Sequence, residues 1–149
     1  MKSKAREVFF FEKKKQKTFV SLGLSLAIQS GFGVAACPIA GQRQETELKL
    51  YFGRDRAGQT QVSEAEWMLF SNDVLTTIFP DGLTVTDGIG QWRDPANAKI
   101  TREATKIVDV VVPGAGGFFS KVNFVVRSYE GKFRQKSVGI VTEQVCAAF

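Results

Sequence analysis

Few side chains in these 149 residues are equipped for chemistry, and none is a histidine. That removes Ser-His-Asp and Cys-His nucleophiles and imidazole-ligated metals. The carboxylate of interest is Glu103, because the strand pattern described below places it on one sheet face with Tyr51 and Trp92. A carboxylate in an aromatic cleft can have a raised pKa and act as an acid or base, although without histidine its usual partner is missing. Arg54-Asp55-Arg56 offers an anion site but reads more simply as a solvated loop. Gly114-Ala115-Gly116-Gly117 precedes a helix and could hold an anion, yet Phe119 occupies the third-glycine place of the dinucleotide pattern. A flexible strand-to-helix turn is the expectation there. Asp81, Asp87 and Asp94 lack the spacing of a hard-cation loop. No metal site and no cofactor are expected.

The formal charge of +5 would suit a nucleic-acid binder, but its distribution does not. Residues 1–36 hold seven cations and two anions, while the other 113 residues carry 13 Lys+Arg against 13 Asp+Glu. Affinity for a phosphate backbone needs a basic folded surface, so no nucleic-acid partner is expected. Behind the cations runs Phe19-Val20-Ser21-Leu22-Gly23-Leu24-Ser25-Leu26-Ala27-Ile28, followed by small residues up to Cys37. A basic start, an apolar run of about ten and a small-residue boundary describe an export signal. Gln29, the two serines and Gly23, Gly31 and Gly33 argue against a membrane-spanning helix. The expected organisation is a cleaved export signal over 1–36, a lead-in over 37–47 and a single α+β domain over 48–149. The expected location is the periplasm or cell envelope, with membrane contact only through the signal or a lipid anchor.

Two fates compete for Cys37. Val34-Ala35-Ala36-Cys37 resembles the lipobox of bacterial lipoproteins, in which the cysteine is acylated. The alternative is a Cys37–Cys146 disulfide, which an oxidising compartment permits. The two exclude each other, because a thioether consumes the sulfur.

The elements that must position these residues follow from periodicity. Leu48-Lys49-Leu50-Tyr51-Phe52 alternates as a strand that Gly53 ends. Ser63-Glu64-Ala65-Glu66 has the form of a capping box. The helix it opens carries Trp67, Phe70, Val74 and Ile78 as its apolar stripe until Pro80 stops it. Leu83 to Arg93 and Ile100 to Val112 read as a hairpin turned by Asp94-Pro95-Ala96-Asn97. A second helix has the stripe Phe119, Val122, Val126, Tyr129 and Phe133, and Ser137 to Val145 closes the chain as a strand. The order β-α-β-β-α-β predicts a ferredoxin-like fold. Its four-stranded antiparallel sheet, in order 4-1-3-2, carries both helices on one face. In that topology the end of strand four lies beside the start of strand one, which brings Cys146 near Cys37.

The hairpin register that keeps apolar residues together sets Leu83 against Val110, Val85 against Val108, Asp87 against Lys106 and Ile89 against Ala104. That face should meet the helices. The other then shows Thr84, Thr86, Gly88, Gly90 and Trp92 beside Asp109, Ile107, Thr105, Glu103 and Thr101, with Lys49 and Tyr51 from strand one. Tyr51 and Trp92 are expected to flank Glu103, with two glycines leaving room opposite it. Tyr51, Trp92, Glu103 and Thr105 are thus the candidate ligand or interface residues. An ordinary solvated sheet face is the competing reading.

Leu50-Tyr51-Phe52-Gly53-Arg54, Trp67, Phe79-Pro80-Asp81-Gly82-Leu83-Thr84-Val85, Asp87-Gly88, Gly90-Gln91-Trp92 and Arg102-Glu103 together resemble a bacterial family of small exported proteins, domain of unknown function 3574. The resemblance covers about residues 45–149. It implies export, often as a lipoprotein, and brings no assigned activity and no catalytic residue. The expected function is an exported binding or interaction module of unknown ligand that forms a homodimer through its open sheet. The alternative is a small-molecule enzyme using Glu103 as general acid or base.

Overall fold

The computed structural model describes residues 8–9, 36–56, 60–93, 95, 97–114 and 117–149. Most of the expected export signal lies outside them. The elements are β1 (Arg43–Gly53), α1 (residues 64–78), β2 (Thr84–Arg93), β3 (Ile100–Pro113), α2 (Phe118–Phe133) and β4 (Gly139–Ala147). The four long strands form an antiparallel sheet in the order β4-β1-β3-β2, and the pair Val8–Phe9 adds to the outer edge of β4. The fold is therefore α+β, with the strand order expected. β1 begins at Arg43, not Leu48, because the expected lead-in pairs with β4 from Arg43–Ala147 onward.

Alternation in β1 places Leu48, Leu50 and Phe52 in one core with Val108, Val110 and Val112 of β3. Both helices cover this face. The Phe52 ring lies 5.3 Å from that of Trp67 in α1 and 4.7 Å from that of Tyr129 in α2. α1 starts on the capping box, with Ser63 Oγ accepting from the Glu66 N–H and the Glu66 carboxylate accepting from the Ser63 N–H. Its stripe departs from the expected one. Residues Ser71–Leu75 form a π-helical turn, whose extra residue per turn sends Leu75 into the core and leaves Val74 and Ile78 only partly buried. In α2 the stripe is Phe118, Val122, Val125, Tyr129 and Phe133, so Phe119 is exposed and Val126 sits at the margin.

The hairpin has the expected register, with Val85 opposite Val108 and Asp87 opposite Lys106. Its outer half does not meet the helices. The β1–β3 ladder ends at Gly53–Thr105, followed by a hydrogen bond from the Arg54 N–H to the Ala104 carbonyl. Beyond that point β2 and β3 continue as a two-stranded arm, and Ile89, expected under the helices, is 78% exposed.

At the other end of the sheet Cys37 and Cys146 are joined in a disulfide, with Cα atoms 5.5 Å apart. The bond occupies the sulfur that acylation of Cys37 would require. Gln42 Nε2 also donates to the Cys146 carbonyl at 3.2 Å, fixing the lead-in against β4.

Candidate functional site

Strand pairing defines which residues share the face away from the helices. Tyr51 stands opposite Gly139 and Ile107, Thr105 opposite Gly53 on one side and Gly88 on the other, Glu103 opposite Gly90, and Trp92 opposite Thr101. All four expected residues, Tyr51, Trp92, Glu103 and Thr105, therefore lie on this uncovered face. They do not form one cluster. The Tyr51 ring lies over Gly139, where a Cβ would approach its Cβ at 3.3 Å and Cδ2 at 3.5 Å. It leans toward β4, away from Glu103, so the expected flanking of Glu103 by Tyr51 and Trp92 is corrected. Trp92 stands in the arm, 48% exposed.

Glycine explains how the side chains lie. A Cβ on Gly53 would meet the Glu103 carboxylate oxygens at 2.8 and 2.9 Å, so Glu103 rests across Gly53. A Cβ on Gly90 would meet Thr105 Oγ1 at 3.0 Å, and one on Gly88 would meet Ile107 Cδ1 at 3.1 Å. Each of the four glycines on this face thus yields its side-chain space to a neighbour laid against the sheet, the use of strand glycine for close approach. The room expected opposite Glu103 is taken by Thr105, and Glu103 fills the space at Gly53 instead.

Glu103 is half-buried, and burial pushes its carboxyl above the ordinary carboxylate range. The Asp55 backbone N–H donates to it and opposes that shift, while the Asp55 charge adds to it. Among the described residues no cation lies within ion-pairing distance of Glu103. On the helix side of the same segment, the fully buried Tyr129 donates its hydroxyl to the Gly53 carbonyl at 2.9 Å. Burial raises the Tyr129 pKa, keeping the phenol protonated.

Arg54-Asp55-Arg56 is not the solvated loop expected. Arg54 Nε donates to the Val62 carbonyl at 2.8 Å and its Nη1 pairs with Glu64 at 3.1 Å. Arg56 Nη2 pairs with Glu66 at 2.7 Å, and its guanidinium lies 5.2 Å from the centre of the Phe133 ring. The Arg56 partner, then the Ser63 N–H and hydroxyl, lower the Glu66 carboxyl to about 2. Both arginines are consumed in anchoring the β1–α1 connection, which aims the Asp55 N–H at Glu103. Sequence reasoning missed Gly53, Asp55 and Gly139 as parts of this face. The legible signal was glycine recurring at positions of one parity.

The remainder of the uncovered face is acidic. With Glu103 included, the described strands place Glu45, Glu47, Glu103, Asp109 and Glu143 on it against Arg43 and Lys49, a surplus of three negative charges. Lys49 Nζ bridges Glu47 at 2.7 Å and Asp109 at 3.1 Å, and the Glu47 hydrogen bond leads in holding its ammonium above the usual lysine value. Glu143 stands directly across from Glu47. Among the described residues no three or more Cys, Asp or Glu side chains are grouped to hold a metal ion, and no helix is long and apolar enough to cross a membrane. Residues 115–116 of the glycine-rich turn lie outside the described residues.

Comparison with solved structures finds a phage SAM lyase in its apo state at TM-score 0.51 and 10% identity, covering 70% of this chain and 85% of the other. A phage SAM lyase in complex with S-methyl-5'-thioadenosine matches at TM-score 0.49 and 14% identity, covering 69% and 90%. At such identities the likeness concerns the fold. No curated protein matches the chain. The model of a family described as protein of unknown function, DUF3574, matches residues 47–149, and the chain belongs to that family.

Proposed function

We propose that this protein is an exported, envelope-located binding module whose uncovered sheet face receives a small ligand carrying a positive charge or a hydrogen-bond donor. The observation that carries the reading is Glu103, a half-buried carboxylate lying across Gly53 on an uncovered face, with no cation among the described residues within ion-pairing distance. A charge withdrawn from water gains most from a partner that supplies the missing counter-charge. Export is supported by the basic and apolar leader, and by a disulfide that belongs in an oxidising compartment. The ferredoxin-like label suits the β-α-β-β-α-β order.

The test uses Trp92, two positions along the arm from the Gly90–Glu103 pair. The full chain is titrated with a panel of small organic cations, including SAM, which gives the phage neighbour its name. A saturable change in tryptophan emission, lost in Glu103→Gln, is the expected result. No saturable change, or full retention in Glu103→Gln, overturns the reading.

The raised carboxyl of Glu103 also favours a second reading, in which it acts as general acid or base on the bound molecule. Turnover of a bound panel member that is lost in Glu103→Gln, while binding persists in Glu103→Asp, would distinguish it.

A further inference from the structure

The arm is the least supported part of the fold. From Gly90–Glu103 to Arg93–Ile100 it is, among the described residues, two strands with no third, and an isolated two-stranded ribbon is marginally stable in water. Its helix-side surface exposes Ile89 and Ile100 and carries Arg93 and Arg102, with no acidic residue beside them among the described ones. That is an apolar patch with two positive charges.

The same molecule holds the complement. At the β4 end of the uncovered face, Glu47 and Glu143 oppose each other across the strands, an unfavourable like-charge pair of which, among the described residues, Glu47 is paired with Lys49. Half-buried Val111, Val141 and Val145 lie around them on the same face. A face-to-face dimer through this surface would set like charges against like.

We propose that the arm of one copy docks on the acidic end of the uncovered face of a second copy, head to tail. The contact rests on the reading of that face as a binding surface and names a macromolecular occupant for its acidic half. It buries Ile89 and Ile100 and brings arginine to the Glu47–Glu143 pair. It is heterologous, so it generates a closed ring or an open chain in place of a two-fold dimer. An anionic lipid surface would also receive an apolar, basic arm. The second copy is favoured because it supplies both the charge and the apolar ground that the arm lacks.

The test is the mass of the full chain in solution by light scattering. Assembly above monomer mass is expected at low salt, with dissociation at about 1 M salt, where screening shortens to about 3 Å. Arg93→Glu with Arg102→Glu should give monomers, and so should Glu143→Lys. Mixing the two variants should restore assembly, an outcome that a merely misfolded variant cannot produce. A chain monomeric at every salt concentration overturns the proposal, as does assembly that both variants retain. Loss of binding to anionic vesicles in the arginine variant of an otherwise monomeric chain assigns the arm to lipid and also overturns it. Trp92 remains in every variant. A monomer that still answers the cation panel therefore sinks the assembly alone, and an assembled chain that answers nothing sinks the ligand reading alone.

Discussion

Glu103 lies across Gly53 so closely that a Cβ at the glycine would stand within 3 Å of both carboxylate oxygens. One residue thereby withdraws the carboxylate from solvent on one side, while its carbonyl receives Tyr129 on the other.

The raised carboxyl of Glu103 makes a pH-dependent statement. An acid whose folded pKa exceeds its unfolded value costs the folded state when ionised, and costs nothing below the unfolded value of about 4.3, where both states are protonated. Glu103→Gln should therefore be more stable than the parent at pH 7. The advantage should vanish as pH falls to about 4. Urea midpoints at the two pH values check this, and an advantage that persists in acid contradicts it.

Lys106 is held almost wholly out of water between Asp87 at 2.7 Å and Glu64 at 2.8 Å. Burial alone would lower its pKa, but the two hydrogen-bonded carboxylates outweigh that and keep the ammonium charged. Both carboxylates are largely exposed, so the partners are unequal in what they lose. Lys106→Met should cost no more than about 1 kcal/mol, because the freed acids are solvated. Glu64→Gln with Asp87→Asn strands a buried cation and should cost about 3 kcal/mol or more. Chemical denaturation of both variants compares them, and equal losses would contradict the asymmetry.

The Cys37–Cys146 bond spans a sequence separation of 109. In the chain-entropy account a closed loop of this size restricts the unfolded state by about 4–5 kcal/mol. Cys37→Ser with Cys146→Ser should lower stability by an amount of that order, with β1 still paired to β4. Calorimetry of the parent with and without reductant measures it, and a loss below about 1 kcal/mol would show that the lead-in is fixed without the bond.

Much of the fold was legible because its signals are local. The alternation over Leu48 to Phe52 and the Ser63–Glu66 box follow from spacing within a few residues, the hairpin register from matching two adjacent apolar faces, and each is found in place. What was not legible depends on how far each layer extends. Ile89 has the parity of a core residue, yet the helices stop short of it. Leu75 replaces Val74 in the core because the π turn shifts the phase of the stripe. Arg54 and Arg56 look solvated until Glu64 and Glu66 fold back above them. At the candidate site, parity assigned Tyr51, Trp92, Glu103 and Thr105 to the correct face. It could not give the direction in which each side chain lies, since that is decided by glycines on the neighbouring strands.

The cross-link at Cys37 also determines how the molecule is held. It sits where β1 begins, and the free hairpin projects past the place where β1 ends. A tether fastened at the disulfide end would grip one pole and point Trp92 outward from the other, like a flag on a short mast. Shortening such a tether would change the height of the arm above its support without altering its aim.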